Sequence, residues 1–264
     1  MKKKFLFLIY VCFPFFLIFP LINLIFKSLK TRSAPTDRYY TWVIALFLIP
    51  TLFTYYPVLS DIDYLLVQPT LVNIFLGLDI LFSVIPICII FHIAKYDREI
   101  RKLVFTESNE FSISCCIIFL LYILVPFFIN DFHDVENVSH PYLRMFIQSL
   151  KETNILGVML SFISICIIAP VLEEVVFRGL LIKDFQPTKC EVERSEHKNF
   201  FLHDFIFSLI FAALHLPAYF LDPFIFSCLA YYIRRRTQNL KIVIIWHIIT
   251  NTIVIAAITR TYFK

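Results

Sequence analysis

Glycine is almost missing from this chain, with three residues in 264. There is no Gly/Ser-rich linker, no low-complexity tract and no internal repeat, so neither a string of loosely tethered domains nor a repeat array is indicated. Charge is scarce as well: Asp, Glu, Lys and Arg make up 17% of the residues, against about a quarter in soluble domains. The net balance is only +4, and the basic residues gather in short segments between apolar runs, which speaks for membrane orientation and against nucleic acid. C-x-x-C spacing is absent. Six of the seven cysteines (Cys12, Cys88, Cys115, Cys116, Cys166 and Cys228) lie inside apolar runs and only Cys190 lies in a polar loop, so the sequence carries neither a disulfide framework nor a zinc knuckle. The H-E-x-x-H string of soluble zinc proteases is missing too.

What the chain has instead is apolar surface. It is 59% hydrophobic and 17% aromatic, with a mean hydropathy of +0.77, and it reads as an integral membrane protein. Runs near the roughly 20 residues that a helix needs to cross the hydrocarbon core occur at 5–26, 41–59, 71–94, 111–129, 153–182, 205–220 and 241–259, with a shorter one at 223–233. The expected fold is therefore all-α, a polytopic transmembrane bundle of about eight spans. The first run follows three lysines but exceeds the usual ~7–15-residue signal-peptide core, so it reads as an uncleaved span. Basic residues at 95–102 and 183–198 and the triplet Arg234-Arg235-Arg236 alternate with acidic loops at 61–63 and 131–136. Retention of Lys and Arg in the cytoplasm then threads spans two to eight consistently, while the basic segments on both sides of span one conflict. Pro86, Pro126 and Pro170 predict kinks. Asp79 is a buried acid with a structural reading, and Asn137-Val138-Ser139 has the form of a glycosylation acceptor in an outer loop. Residues 1–150 read as scaffold spans and 151–260 as the part of the same bundle that carries the polar groups.

Those groups fall at helical spacing. Residues four apart share a face, which pairs Glu174 with Arg178, Phe211 with His215 and His247 with Asn251. Glu173 lies about 100° round its helix from Glu174 and is left to face another element. A carboxylate, two imidazoles and an amide at membrane depth can activate water and stabilise an oxyanion. Glu173, His215 and His247 are equally the His₂Glu set of a catalytic zinc. Spacing does not choose between the two.

Glu173-Glu174-x-x-x-Arg178-Gly179, Phe211-x-x-x-His215, and His247-x-x-x-Asn251 preceded by the basic turn Arg235-Arg236-Thr237-Gln238-Asn239-Leu240 resemble the three motifs of the CPBP intramembrane proteases, which include type II CAAX prenyl endopeptidases, Abi proteins and lysostaphin-resistance-like proteins. The resemblance extends over about 153–255. It implies that Glu173 and His215 activate the attacking water, that His247 and Asn251 form the oxyanion site, and that Glu174 and Arg178 support the first motif, with Zn²⁺ as the cofactor if the family works through a metal. The implied partner is a membrane-associated peptide or protein. Depth favours a cavity open to the cytoplasmic side of a prokaryotic plasma membrane, provided that span six starts late, at Phe205. An ion- or proton-coupled transporter and a silent scaffold or immunity protein are the competing readings, and no inverted repeat favours the former.

Overall fold

The computed structural model describes residues 66, 68–96, 101, 115, 117–123, 140–180, 196–215 and 221–263. The expected spans 5–26 and 41–59, much of 111–129, the acidic loops, the triplet 137–139 and most of the loop 183–198 lie outside these residues. Every regular element among the described residues is helical: α1 (Pro69–Tyr96), α2 (Pro141–Lys151), α3 (Ile155–Ile163), a π-wound stretch (Ser164–Ile168), α4 (Ala169–Glu174), a second π-wound stretch (Val175–Leu180), α5 (Glu196–Leu214), α6 (Leu221–Thr237) and α7 (Leu240–Tyr262). Three apolar stretches are long enough to cross a bilayer, Pro69–His92, Ile155–Gly179 and Leu240–Tyr262. The described residues are thus all-helical with membrane-spanning helices, which correspond to the expected spans 71–94, 153–182 (described as far as 180) and 241–259.

The middle span is one rod with two changes of winding. Pro170 has no N–H to give, and the turn ahead of it relaxes from α to π. A π-wound chain bonds residue i to i−5, so the carbonyl that loses its donor is that of Ile165. Asn251 on α7 replaces the missing group, its Nδ2 donating to Ile165 O at 2.9 Å. A neighbouring helix thereby satisfies a backbone group that lipid could not.

A short helix that the hydropathy pattern did not suggest, α2, leads into this rod. His140 is extended (φ −73°, ψ 119°), as a residue before proline must be, and Pro141 opens the helix. After Thr153, which turns at φ 54°, Asn154 caps α3 by accepting the Gly157 N–H at 3.1 Å. The amides of Asn154 and Asn73 pair reciprocally, at 2.9 and 3.3 Å, and bind α3 to α1. Gly157 is required here, because a Cβ would run into the side chains of Ser149, Asn154 and Asn73.

The start of α5 differs from expectation. It begins at Glu196, not Phe205, because the polar residues ahead of the apolar stretch are themselves helical; the apolar part is Asp204–Leu214. Arg235 grips the Asp204 carboxylate with two bonds, Nε at 2.5 Å and Nη2 at 2.7 Å, so the apolar part of α5 starts level with the arginine-rich end of α6. Since lipid is as apolar as Leu, helices associate through close packing and polar contacts rather than through hydrophobic exclusion. Ser149, Ser161, Ser164, Ser208 and Ser227 are all buried and serve as small residues where glycine is so rare. The aromatic core around Tyr122, Phe177, Phe211, Phe226 and Trp246 closes over the polar centre.

Candidate active site

Glu173 and Glu174 stand in the last turn of α4, just before the winding changes to π at Val175. Such π-wound turns recur at functional sites because they re-aim side chains within a helix. The two carboxylates have different surroundings. Glu174 is fully buried with Arg178, whose Nη1 donates to Glu174 Oε1 at 3.0 Å. Arg178 Nη2 donates to Ser227 Oγ at 2.6 Å. Its guanidinium lies 4.4 Å from the Phe211 ring centroid and 5.0 Å from that of Tyr231, a stacking that a planar cation favours. From α6, Tyr231 Oη donates to Phe177 O at 2.9 Å and Arg234 Nε to Arg178 O at 3.3 Å.

Glu174 has a second task. His247 Nδ1 lies 2.8 Å from Glu174 Oε1, and since the carboxylate accepts from Arg178 on the same oxygen, the imidazole Nδ1–H is the donor. His215 Nδ1 lies 2.8 Å from Phe211 O, and a carbonyl can only accept, so Nδ1–H donates there too. Both anchors fix the tautomer and leave the two Nε2 atoms to face the remaining carboxylate. Glu173 Oε2 is 3.7 Å from His215 Nε2 and 3.9 Å from His247 Nε2. These distances are too long for direct hydrogen bonds and short enough for one water to reach two of the three atoms. Glu173 and His215 keep 18% and 23% of their side-chain surface exposed, whereas His247 keeps 6% and Glu174 and Arg178 none. Glu173 Oε2 itself is buried and has no hydrogen-bond partner among the described residues.

All six residues singled out in the sequence thus have a place. Glu173, Glu174, Arg178, His215 and His247 form one contiguous cluster, and Asn251 sits one turn along α7 from His247 with one amide hydrogen committed to Ile165 O. Among the described residues no group of three or more His, Cys, Asp or Glu side chains is gathered so as to hold a metal ion.

Several contributing residues were not expected. Ser227, Tyr231 and Arg234 recur at intervals of four and three on α6 and line the wall behind Arg178; polar residues at that spacing were the available signal. Tyr122 Oη donates to Asp222 Oδ1 at 3.0 Å, and Asp222 is in turn an electrostatic neighbour of His215. His140 is another such neighbour of His215, and its own Nδ1 is buried with no hydrogen-bond partner. Burial pushes the His140 imidazole down to about 3, and the neighbouring His215 adds to the shift, so at neutral pH it is an uncharged ring. Asp79 also finds its role: Tyr142 Oη and Ser164 Oγ donate to its two oxygens at 2.8 and 2.9 Å, joining α1, α2 and the first π-wound stretch.

Fold and site together define a helical membrane protein with a buried carboxylate–imidazole centre held by an internal arginine. Residues 155–253, which hold all three motifs, match the family model described as Type II CAAX prenyl endopeptidase Rce1-like, in keeping with the resemblance to the CPBP intramembrane proteases. Neither the curated proteins nor the solved structures contain a match to the chain.

Proposed function

We propose that the protein is an intramembrane endopeptidase that cleaves a peptide bond of a membrane-associated protein or peptide by direct attack of water. The match of residues 155–253 to a protease family model supports the reaction class. The observation that carries the mechanism is the convergence of two tautomer-fixed Nε2 atoms on Glu173. A water held between Glu173 and His215 donates one hydrogen to the carboxylate and the other to the His215 Nε2 lone pair, and its own lone pair is then free to attack the peptide carbonyl carbon. Glu173 takes the proton as the C–O bond forms. The tetrahedral oxyanion is received by His247, which donates through Nε2 only when it also carries a proton there, and by the second amide hydrogen of Asn251; each such donor is worth roughly 3–4 kcal/mol. Glu173 returns its proton to the amide nitrogen as the C–N bond breaks, giving a carboxylic acid and an amine.

Depth supports an opening towards the cytoplasm. At about 1.5 Å per residue, His247 is roughly 10 Å from the start of α7, Glu173 roughly 9 Å from Gly179, and His215 roughly 16 Å from Asp204, all counted from the arginine-rich end. Residues 1–150 act as the scaffold of this core.

Wild-type protein in detergent micelles is expected to cleave members of a pooled, internally quenched decapeptide library, and Glu173→Gln to lower the rate at least a hundredfold with unchanged thermal unfolding. A Glu173→Gln protein that cleaves as fast as wild type would sink the reading.

A further inference from the structure

The scaffold half of the chain contributes one residue whose chemistry the catalytic motifs leave unused. His140 ends the connection into α2, immediately before Pro141, and its ring stands 6.0 Å from that of Tyr142. The position is built rather than incidental. Pro141 holds His140 extended, and Tyr142, one residue further on, is bonded to the buried Asp79, which also holds Ser164 on the rod that carries Glu173. Asp79 thus fixes the first turn of α2, which His140 immediately precedes, against the catalytic span. Buried polar atoms nearly always have a partner, and leaving one unmet is costly. Nδ1 of His140 is buried and has none among the described residues, and the ring is an electrostatic neighbour of His215.

We propose that His140 is a substrate-binding residue of the site, its Nδ1 forming a hydrogen bond with a backbone group of the bound peptide next to the scissile bond. This rests on the protease reading above and extends it: the peptide is held from the scaffold side of His215 by a ring outside the three motifs, and the Asp79–Tyr142 contact sets that ring's position.

The test uses full-length protein in nanodiscs and the best-cleaved single peptide from the quenched decapeptide pool. His140→Ala is expected to raise KM about tenfold, the equivalent of one hydrogen bond of about 1.4 kcal/mol, with kcat within threefold of wild type. His140→Asn, whose amide can occupy the Nδ1 position, is expected to recover most of that loss. An unchanged KM in His140→Ala overturns the inference, as does a fall in kcat alone. Equal KM defects in the Ala and Asn variants, together with a lowered thermal midpoint in both, make His140 a structural residue and also overturn it. If wild-type protein cleaves nothing in the pool, the protease reading fails and this inference with it; if wild type cleaves and Glu173→Gln does not, the protease reading stands and the His140 variants alone decide.

Discussion

Arg178 shows how a charge is held at membrane depth. It is among the largest fully buried side chains, and an ion there costs several kcal/mol unless it is paired. Its partners are a carboxylate at 3.0 Å, a hydroxyl at 2.6 Å and the faces of aromatic rings, while Nε is buried without a hydrogen-bond partner among the described residues. Removing one partner of such a pair leaves the other charge uncompensated. Arg178→Met is therefore expected to destabilise the protein by about 3–5 kcal/mol, measured by reversible unfolding in mixed micelles. Adding Glu174→Gln to Arg178→Met should recover much of the loss, since no lone charge then remains. Arg178→Lys should fall between, because an ammonium cannot reach Glu174 and Ser227 as a planar fork while stacking on Phe211. Additive losses in the double variant would show that the two side chains are not a pair. The same residue explains why Glu173 is the free carboxylate: Glu174 is committed to Arg178 and His247 on one oxygen, and the turn of the helix carries Glu173 away from both.

At the scale of the element, the span Ile155–Gly179 is shaped by Pro170. Its two π-wound stretches flank the six residues of α4, so the carboxylates are presented by a short α segment whose rotation is set from both sides. The hydrogen bond from Asn251 to Ile165 O is part of this device, and it gives Asn251 a structural duty alongside its proposed catalytic one. The two are separable. Asn251→Ala leaves the Ile165 carbonyl unpaired and is expected to cost about 1–2 kcal/mol of stability. Pro170→Ala supplies an N–H at the missing position, so the double variant Pro170→Ala/Asn251→Ala should regain that stability in an unfolding assay. Peptide cleavage should stay depressed in the double variant if the second amide hydrogen serves the oxyanion. Recovery of both stability and turnover would leave Asn251 with the backbone role alone.

At the scale of the whole molecule, the arginine-rich end of α6, its grip on Asp204 and the depth of the three motif residues bear on one question, the side from which substrate enters. A reporter fused after Arg236 is expected to read as cytoplasmic, following the preference of Arg and Lys for that side; an extracytoplasmic signal reverses the orientation of the site. The sequence by itself determined the class and, through helical spacing, which polar residues share a face. A low charge content and runs of about 20 apolar residues force a helical membrane protein, since lipid leaves the backbone no other partner than itself. Four-residue spacing along a helix is a local rule, so the Glu174–Arg178 pair and the separateness of Glu173 could be read without any knowledge of neighbours. The elements that escaped are those fixed by contacts distant in sequence. His247 is oriented by Glu174, 73 residues away. Asn251 repairs a carbonyl 86 residues away, and Asp79 holds Ser164 across 85. Ser227, Tyr231 and Arg234 acquire meaning only when α6 is laid against Arg178, and His140 only when α2 is folded back beside α3. Hydropathy reports which residues leave water, and periodicity reports which share a face. Which faces meet is decided by packing, and the partners that these buried polar groups find on other helices come together only in the assembled bundle.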